Sequence, residues 1–106
     1  MPAAPKVPAT VFKILTLSEW GSFARQSCHY SHTRRIHACA NWSQVTAVLD
    51  RKYRHQAVMV AELEVAKTSG WRMRRARDGR FYPNLHEEPL SFCSLVGCKS
   101  INGGAI

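Results

Sequence analysis

A chain of 106 residues suits one domain with a modest core and leaves no room for a second. Hydrophobic residues make up 45% of it, enough to offset the ordering entropy of folding, and its longest apolar run falls far short of the ~20 residues a membrane span needs. Fifteen Lys plus Arg against seven Asp plus Glu leave a charge of +8, which favours anionic partners without choosing among them. No charged, apolar and small-residue succession marks a secretory signal, so a cytoplasmic chain without membrane contact is expected. Its cysteines, Cys28, Cys39, Cys93 and Cys98, are then expected as reduced thiols.

Residues 1–10 hold Pro2, Pro5 and Pro8 among small residues and read as a flexible tail. One domain is expected over 11–101. Val11 to Leu17 is β-branched and apolar on both faces apart from Lys13 and Thr16, which suits a central strand. Ser18 would cap a short helix from Glu19 to Arg25, with Trp20, Phe23 and Ala24 toward the core. Gln26 to Arg35 is polar, crowds Cys28, His29, Tyr30 and His32, and reads as a loop.

The stretch from Ile36 to Tyr53 organises the chain. Ile36 and Ala38 alternate with His37 and Cys39 as in a strand. A main helix follows, with Asn41 and Gln44 spaced for a capping box. Trp42, Val45, Val48, Leu49 and Tyr53 make its apolar stripe, and Asp50, Arg51, Lys52 and Arg54 fall largely outside it.

Val58 to Val65 is the clearest strand, its second half buried through Ala61 and Leu63 and wet through Glu62 and Glu64. After a turn at Thr68-Ser69-Gly70, Trp71 to Ala76 and Arg80 to Tyr82 flank Arg77-Asp78-Gly79, a hairpin signal because Asp and Gly tolerate positive φ. Pro83, which lacks an N–H, is expected to interrupt pairing, with Asn84 to Pro89 an exposed loop. Leu95, Val96, Cys98 and Ile101 form a last strand interrupted at Gly97, and 102–106 is a second tail. Together these elements predict an α+β domain with a mostly antiparallel sheet, one main helix and one short one.

Several of these segments carry a family resemblance. Phe12-Lys13-Ile14 with Glu19-Trp20, Ile36-His37-Ala38 leading into a helix with Gln44, the strand end Glu62-Leu63-Glu64-Val65, Trp71, and Gly79 to His86 with Pro89-Leu90 resemble the family numbered 952 among the domains of unknown function, found in bacteria and plants. The family pattern is Tyr/Phe-Lys-Ile with Glu-Trp, then Asp-Gly-Phe-Ile-His-Leu-Ser, then Phe-Pro-His-Leu-Tyr, and the resemblance spans nearly all of 11–101. It implies a curved, split sheet, distantly similar to the ADP-ribosyltransferase fold, that grips NAD in a cleft. His37 would contact a ribose hydroxyl, and Tyr82, Asn84 and His86 would line the pocket. Asn84 and His86 stand where the family has His and Tyr, and Thr33-Arg34-Arg35 where it has Asp-Gly-Phe. Glu87-Glu88 carries an extra acid, which adjacent loop glutamates more often leave solvated.

Each candidate site has a plainer rival. His37 as a ligand contact competes with His37 as a hydrogen-bonded member of a small sheet. Tyr82 and His86 line a pocket or merely cover the core beside Pro83. Arg72, Arg74, Arg75, Arg77 and Arg80, interleaved with Trp71, Phe81 and Tyr82, suit phosphates and stacked bases, with Arg72, Arg75 and Arg77 the expected phosphate contacts. A solvated, charge-guarded hairpin would look the same. Among Cys28, His29, His32, His37, Cys39, Cys93 and Cys98, only Cys93 and Cys98 approach zinc-ligand spacing, and no metal is expected. Cys93 and Cys98 read instead as small apolar residues packed near the last strand.

Two functions remain open at this point. In the first, the domain binds NAD or a related ADP-ribosyl nucleotide in the cleft and transfers or hydrolyses the ADP-ribosyl group. In the second it is a non-enzymatic basic module that binds RNA or an acidic protein through the arginine hairpin.

Overall fold

Strand β4 (Val58–Glu64) is the axis of the fold, pairing antiparallel with β1 (Thr10–Thr16) on one side and β8 (Leu95–Ile101) on the other. The computed structural model describes residues 3–29 and 35–102. A second three-stranded antiparallel sheet sets β6 (Phe81–His86) between β3 (Arg35–His37) and β5 (Trp71–Arg75). A short pair joins β2 (Cys28–His29) to β7 (Leu90–Ser91). Helices α1 (Leu17–Gln26) and α2 (Trp42–Lys52) complete a single α+β domain.

Among the described residues the two larger sheets are bridged once, where Phe12 and Cys39 exchange backbone hydrogen bonds of 2.8 and 2.7 Å. Beyond it, β1 and β3 pair no further among the described residues, and a crevice lies between them. β1 is therefore an edge of its own sheet whose outer side is held at this single point, rather than a fully paired central strand.

Alternation along β1 and β4 explains the layers. Val11, Leu15, Ala61 and Leu63 are fully buried and meet Ile36, Leu85, Trp71 and Phe23 in one core between the sheets and α1. Ile14, Val58 and Val60 turn the other way and pack under Val45 and Leu49 of α2. Further along that face Glu62 and Glu64 remain partly exposed.

Several expectations need correction. Helix α1 begins two residues early and runs for 10, capped by Thr16 rather than Ser18. Thr16 Oγ1 accepts from the Glu19 N–H at 3.1 Å, and Glu19 returns the bond to the Thr16 N–H at 2.8 Å, the reciprocal box that satisfies two orphan donors. Ala24 is exposed, while Phe23 is buried against Phe92. In α2, Asn41 caps the Gln44 N–H as expected, but Gln44 Oε1 accepts from Ala40, one residue before the cap. Trp42 leaves the apolar stripe and lies 39% exposed over Phe12 and Lys99.

The largest difference falls at Pro83. It does not break the strand; β6 continues to His86, so Asn84 sits in a central strand, 3% exposed, rather than in a loop. The Pro83 carbonyl accepts from the N–H of Ala38, the residue just past the end of β3. A strand residue points its N–H and C=O to the same side, so the missing donor faces the place where the neighbouring strand stops. Cys93 and Cys98 are exposed rather than packed. Part of the expected 26–35 loop pairs as β2 with β7, while Tyr30, His32, Thr33 and Arg34 lie outside the described residues.

A candidate anion-binding cleft

Register assigns the two faces of the β3-β6-β5 sheet. Ile36, Leu85 and Trp71 share the core face; Arg35 and His37 of β3, Tyr82, Asn84 and His86 of β6, and Arg72 and Arg74 of β5 share the other. That second face borders a cavity of about 560 Å³, closed on the opposite side by Lys13 and Ile14 of β1 and by Arg51, Lys52 and Tyr53 at the end of α2. Its floor holds His37 and Asn84, directly opposite each other in register, and Tyr82.

Among the described residues seven cationic side chains line this cavity: Lys13, Arg35, Arg51, Lys52, Arg74, Arg75 and Arg77. Among the described residues no Asp or Glu lines it. Such a concentration of one sign in a walled space raises the local concentration of anions, and planar guanidinium forks match phosphate oxygens.

The polar floor is braced from behind. Gln44 Nε2 donates to the Phe81 carbonyl at 2.9 Å, tying α2 to β6. Asn84 Nδ2 donates to the Tyr82 carbonyl at 3.1 Å, and the Tyr82 hydroxyl donates to Asp78 at 2.8 Å. Asp78 also accepts from the Arg80 N–H at 2.8 Å in the hairpin turn, where Gly79 takes a φ of +84°. The two hydrogen bonds hold the Asp78 carboxyl below the usual carboxylate range. Burial, then the bonded Asp78, pushes the Tyr82 phenol up, so it stays a neutral donor.

Most of the residues named from the sequence converge here, but not all. His37, Tyr82, Asn84, Arg75 and Arg77 line the cavity; His86 and Arg72 share the sheet face without reaching it. Arg74 takes the place expected for Arg72 because it lies opposite Tyr82. Arg75 points to the opposite side, its guanidinium 5.8 Å from the Phe81 ring centroid and its Nε donating to the Gly79 carbonyl at 3.4 Å, and meets the cavity at the rim. Glu87 and Glu88 stay outside, and Glu88 accepts from Ser69 at 2.8 Å.

Lys13, Arg51, Lys52 and Tyr53 were not expected in the site. Lys13 had a signal, as the lone cation in an apolar strand and the centre of Phe12-Lys13-Ile14. Burial lowers its pKa, with Lys52 adding to the effect and Glu19 and Cys39 opposing it. His37 is also held below its ordinary value, by partial burial first and then by Lys13, Arg35, Lys52 and Arg74. A neutral imidazole surrounded by cations can both donate to and accept from a ligand hydroxyl. The Cys39 thiol, pushed up to about 11 by burial, is inert.

A second cavity of about 410 Å³ adjoins the first and shares Lys13, Arg35 and His37 with it. Its other lining includes Glu19, Cys28 and His29. Among the described residues no three His, Cys, Asp or Glu side chains gather closely enough to hold a metal ion. No helix of the described residues is long and apolar enough to cross a membrane.

No protein-family model matches the chain, and no curated protein does. Solved structures do. The chain is similar to protein CC0527 of Caulobacter crescentus, whose crystal structure superposes with a TM-score of 0.77 at 21% identity, covering 88% of this chain and 86% of that one. The solution structure of the same protein gives a TM-score of 0.70 at 18% identity over 90% and 86% of the two chains. At these identities the likeness is one of fold, and this chain shares the α+β fold of CC0527 over nearly its whole length.

Proposed function

We propose that the domain binds a phosphorylated nucleotide of the NAD or ADP-ribose class in the basic cavity. The observation that carries this is the set of seven cationic side chains around about 560 Å³, with no acidic residue among the described lining. That volume falls within the range of small-molecule sites. Arg74, Arg77 and Lys52 suit the pyrophosphate, and His37 and Asn84 on the floor suit ribose hydroxyls. The resemblance to the family numbered 952 among the domains of unknown function supports the same ligand class, since it puts His37 at a ribose.

Transfer or hydrolysis of the ADP-ribosyl group is the further step implied by that resemblance. An oxocarbenium-like centre calls for nearby negative charge, and the described lining supplies none. Binding is therefore the function best supported, with turnover a separate question.

The test is isothermal titration of the domain with NAD and with ADP-ribose at moderate salt, beside His37→Ala. Saturable binding that weakens at least about tenfold in the variant, ~1.4 kcal/mol, is expected. No heat from the folded protein with either nucleotide would overturn the proposal. In that case the exposed hairpin arginines Arg72 and Arg80, outside the cavity, become the surface to probe with RNA or an acidic protein. Binding there should weaken steeply as salt rises.

A further inference from the structure

Lysine amines are nucleophiles only when neutral, and Lys13 is placed where its charged form is costly. Of the five lysines, Lys6, Lys52, Lys67 and Lys99 are exposed, and Lys13 alone is not. It leaves β1 between Val11 and Leu15, both fully buried, and borders both cavities at the crevice where β1 and β3 part. Desolvation and neighbouring cations are the two devices by which a lysine amine is activated toward carbonyl carbon. Both are present: burial and Lys52 disfavour the ammonium, against the opposing pull of Glu19 and Cys39. Burial first, and then Lys13, lowers the pKa values of His29 and His37.

We propose that Lys13 forms an imine with a phosphorylated ligand that carries a free aldehyde, whose phosphates are held by the arginines of the same cavity. The inference rests on the cavity being a phosphate site and names the substrate class that the site takes. The neutral Nζ adds to the carbonyl carbon, forming a C–N bond as the carbonyl π pair moves to oxygen. One proton passes from nitrogen to that oxygen, giving a carbinolamine. A proton from solvent then lets the hydroxyl leave as water while the nitrogen lone pair forms the C=N bond. Amine, aldehyde and one proton thus give a protonated imine and one water, with nothing oxidised or reduced. Among ADP-ribosyl nucleotides this selects ADP-ribose, whose terminal ribose opens to an aldehyde, over NAD, whose anomeric carbon is already bound to the nicotinamide nitrogen.

The experiment incubates the full chain at neutral pH with ADP-ribose and cyanoborohydride, which reduces an imine to a stable secondary amine, and maps the adduct by peptide mass spectrometry. Parallel incubations use NAD and glyceraldehyde, an aldehyde without phosphate, and calorimetry measures nucleotide binding separately. Saturable labelling of Lys13 by ADP-ribose, several-fold above the mean of Lys6, Lys67 and Lys99, which lie outside the cavity, and absent with NAD, is expected. Lys13→Arg and Lys13→Gln should each lose the adduct while keeping a cooperative thermal transition. Because Lys13 is compared with these three lysines within one wild-type sample, a variant that fails to fold does not spoil the test. If ADP-ribose binds by calorimetry but labels Lys13 no more than Lys6, Lys67 and Lys99, the imine is overturned and the binding site stands. If neither nucleotide binds, the cavity is not their site; selective glyceraldehyde labelling of Lys13 would then still support the reactive amine, and uniform labelling would overturn it.

Discussion

The β3-β6-β5 sheet has two faces made by the same three strands, and they obey different rules. On one, Ile36, Leu85 and Trp71 are 2%, 0% and 8% exposed and close the main core. On the other, Arg35, His37, Asn84, Tyr82 and Arg74 border a cavity. Successive residues alternate between a face that holds the fold together and a face that concentrates like charge against it. Stability and binding should therefore separate residue by residue along one strand.

The sharpest way to break that comparison is to change each face once. Leu85→Ala removes a fully buried side chain from the middle of the sheet, and such truncations cost about 2–5 kcal/mol. Arg74→Ala, one strand away on the opposite face and exposed, should change stability by no more than about 0.5 kcal/mol while weakening nucleotide binding. Urea melts of both variants, with titration of Arg74→Ala, check the pair. A destabilisation by Arg74→Ala as large as that by Leu85→Ala would show that the cationic face is structural.

The next expected effect falls on Gln44, which joins the faces. Its carboxamide accepts from Ala40 and donates to the Phe81 carbonyl, 9% exposed. Gln44→Leu keeps the volume but leaves both backbone groups without that partner, at a cost of about 1–3 kcal/mol. It should also loosen α2 against β6 and so weaken binding, unlike Leu85→Ala in conditions where that variant stays folded. Hydrogen exchange at the Ala40 amide is the direct readout.

Much of the core face was legible because period-two alternation in Val58 to Val65 and in Ile36 to Cys39 is a local signal. Ser18, next to Glu19, reads as the cap of α1, although Thr16-x-x-Glu19 has the box spacing and Thr16 is the cap. Strand β6 was not legible either. A proline reads as a stop unless one knows that the neighbouring strand ends opposite it, and that is tertiary information. The same limit applied to the site. His37, Tyr82 and Asn84 were found through the resemblance, but Arg51 and Lys52 looked like the solvent side of an amphipathic helix, and only the packing of α2 over β1 turns them toward the cavity. Arg72 and Arg74 differ by one turn of the alternation, and which of them meets the cavity depends on register with Tyr82.

A smaller effect, opposite in sign, is expected at Lys13. Replacing a partly buried ammonium by an apolar side chain of similar length commonly stabilises, so Lys13→Met should raise stability at neutral pH by about 1 kcal/mol and abolish imine formation. The pH dependence identifies the cause. With the folded pKa below the unfolded 10.5, the penalty is full below the folded value and disappears as pH rises past 10.5. The gap between Lys13→Met and the wild type should close over that window. A stabilisation that stays constant with pH would assign the effect to packing instead.

The finest distinction concerns protons on the charged face. Burial is the largest cause lowering the pKa of His29, His37 and His86, and nearby cations add to it. Between those folded values and the unfolded 6.5, the unfolded chain binds more protons, so stability should fall as pH drops below about 6.5. An anionic ligand reverses the local balance: a pyrophosphate held by Arg74, Arg77 and Lys52 offsets the cations that depress His37 at the ribose and raises its pKa back toward the ordinary value. Nucleotide binding should then be accompanied by proton uptake below about pH 6.5, and its affinity should rise as pH falls through that range. Titrations in two buffers of different ionisation enthalpy measure the uptake, and His37→Gln should reduce it while His29→Gln, whose ring lines only the second cavity, should not. Equal loss in both variants would move the phosphate from the basic cavity to the wall that the two cavities share.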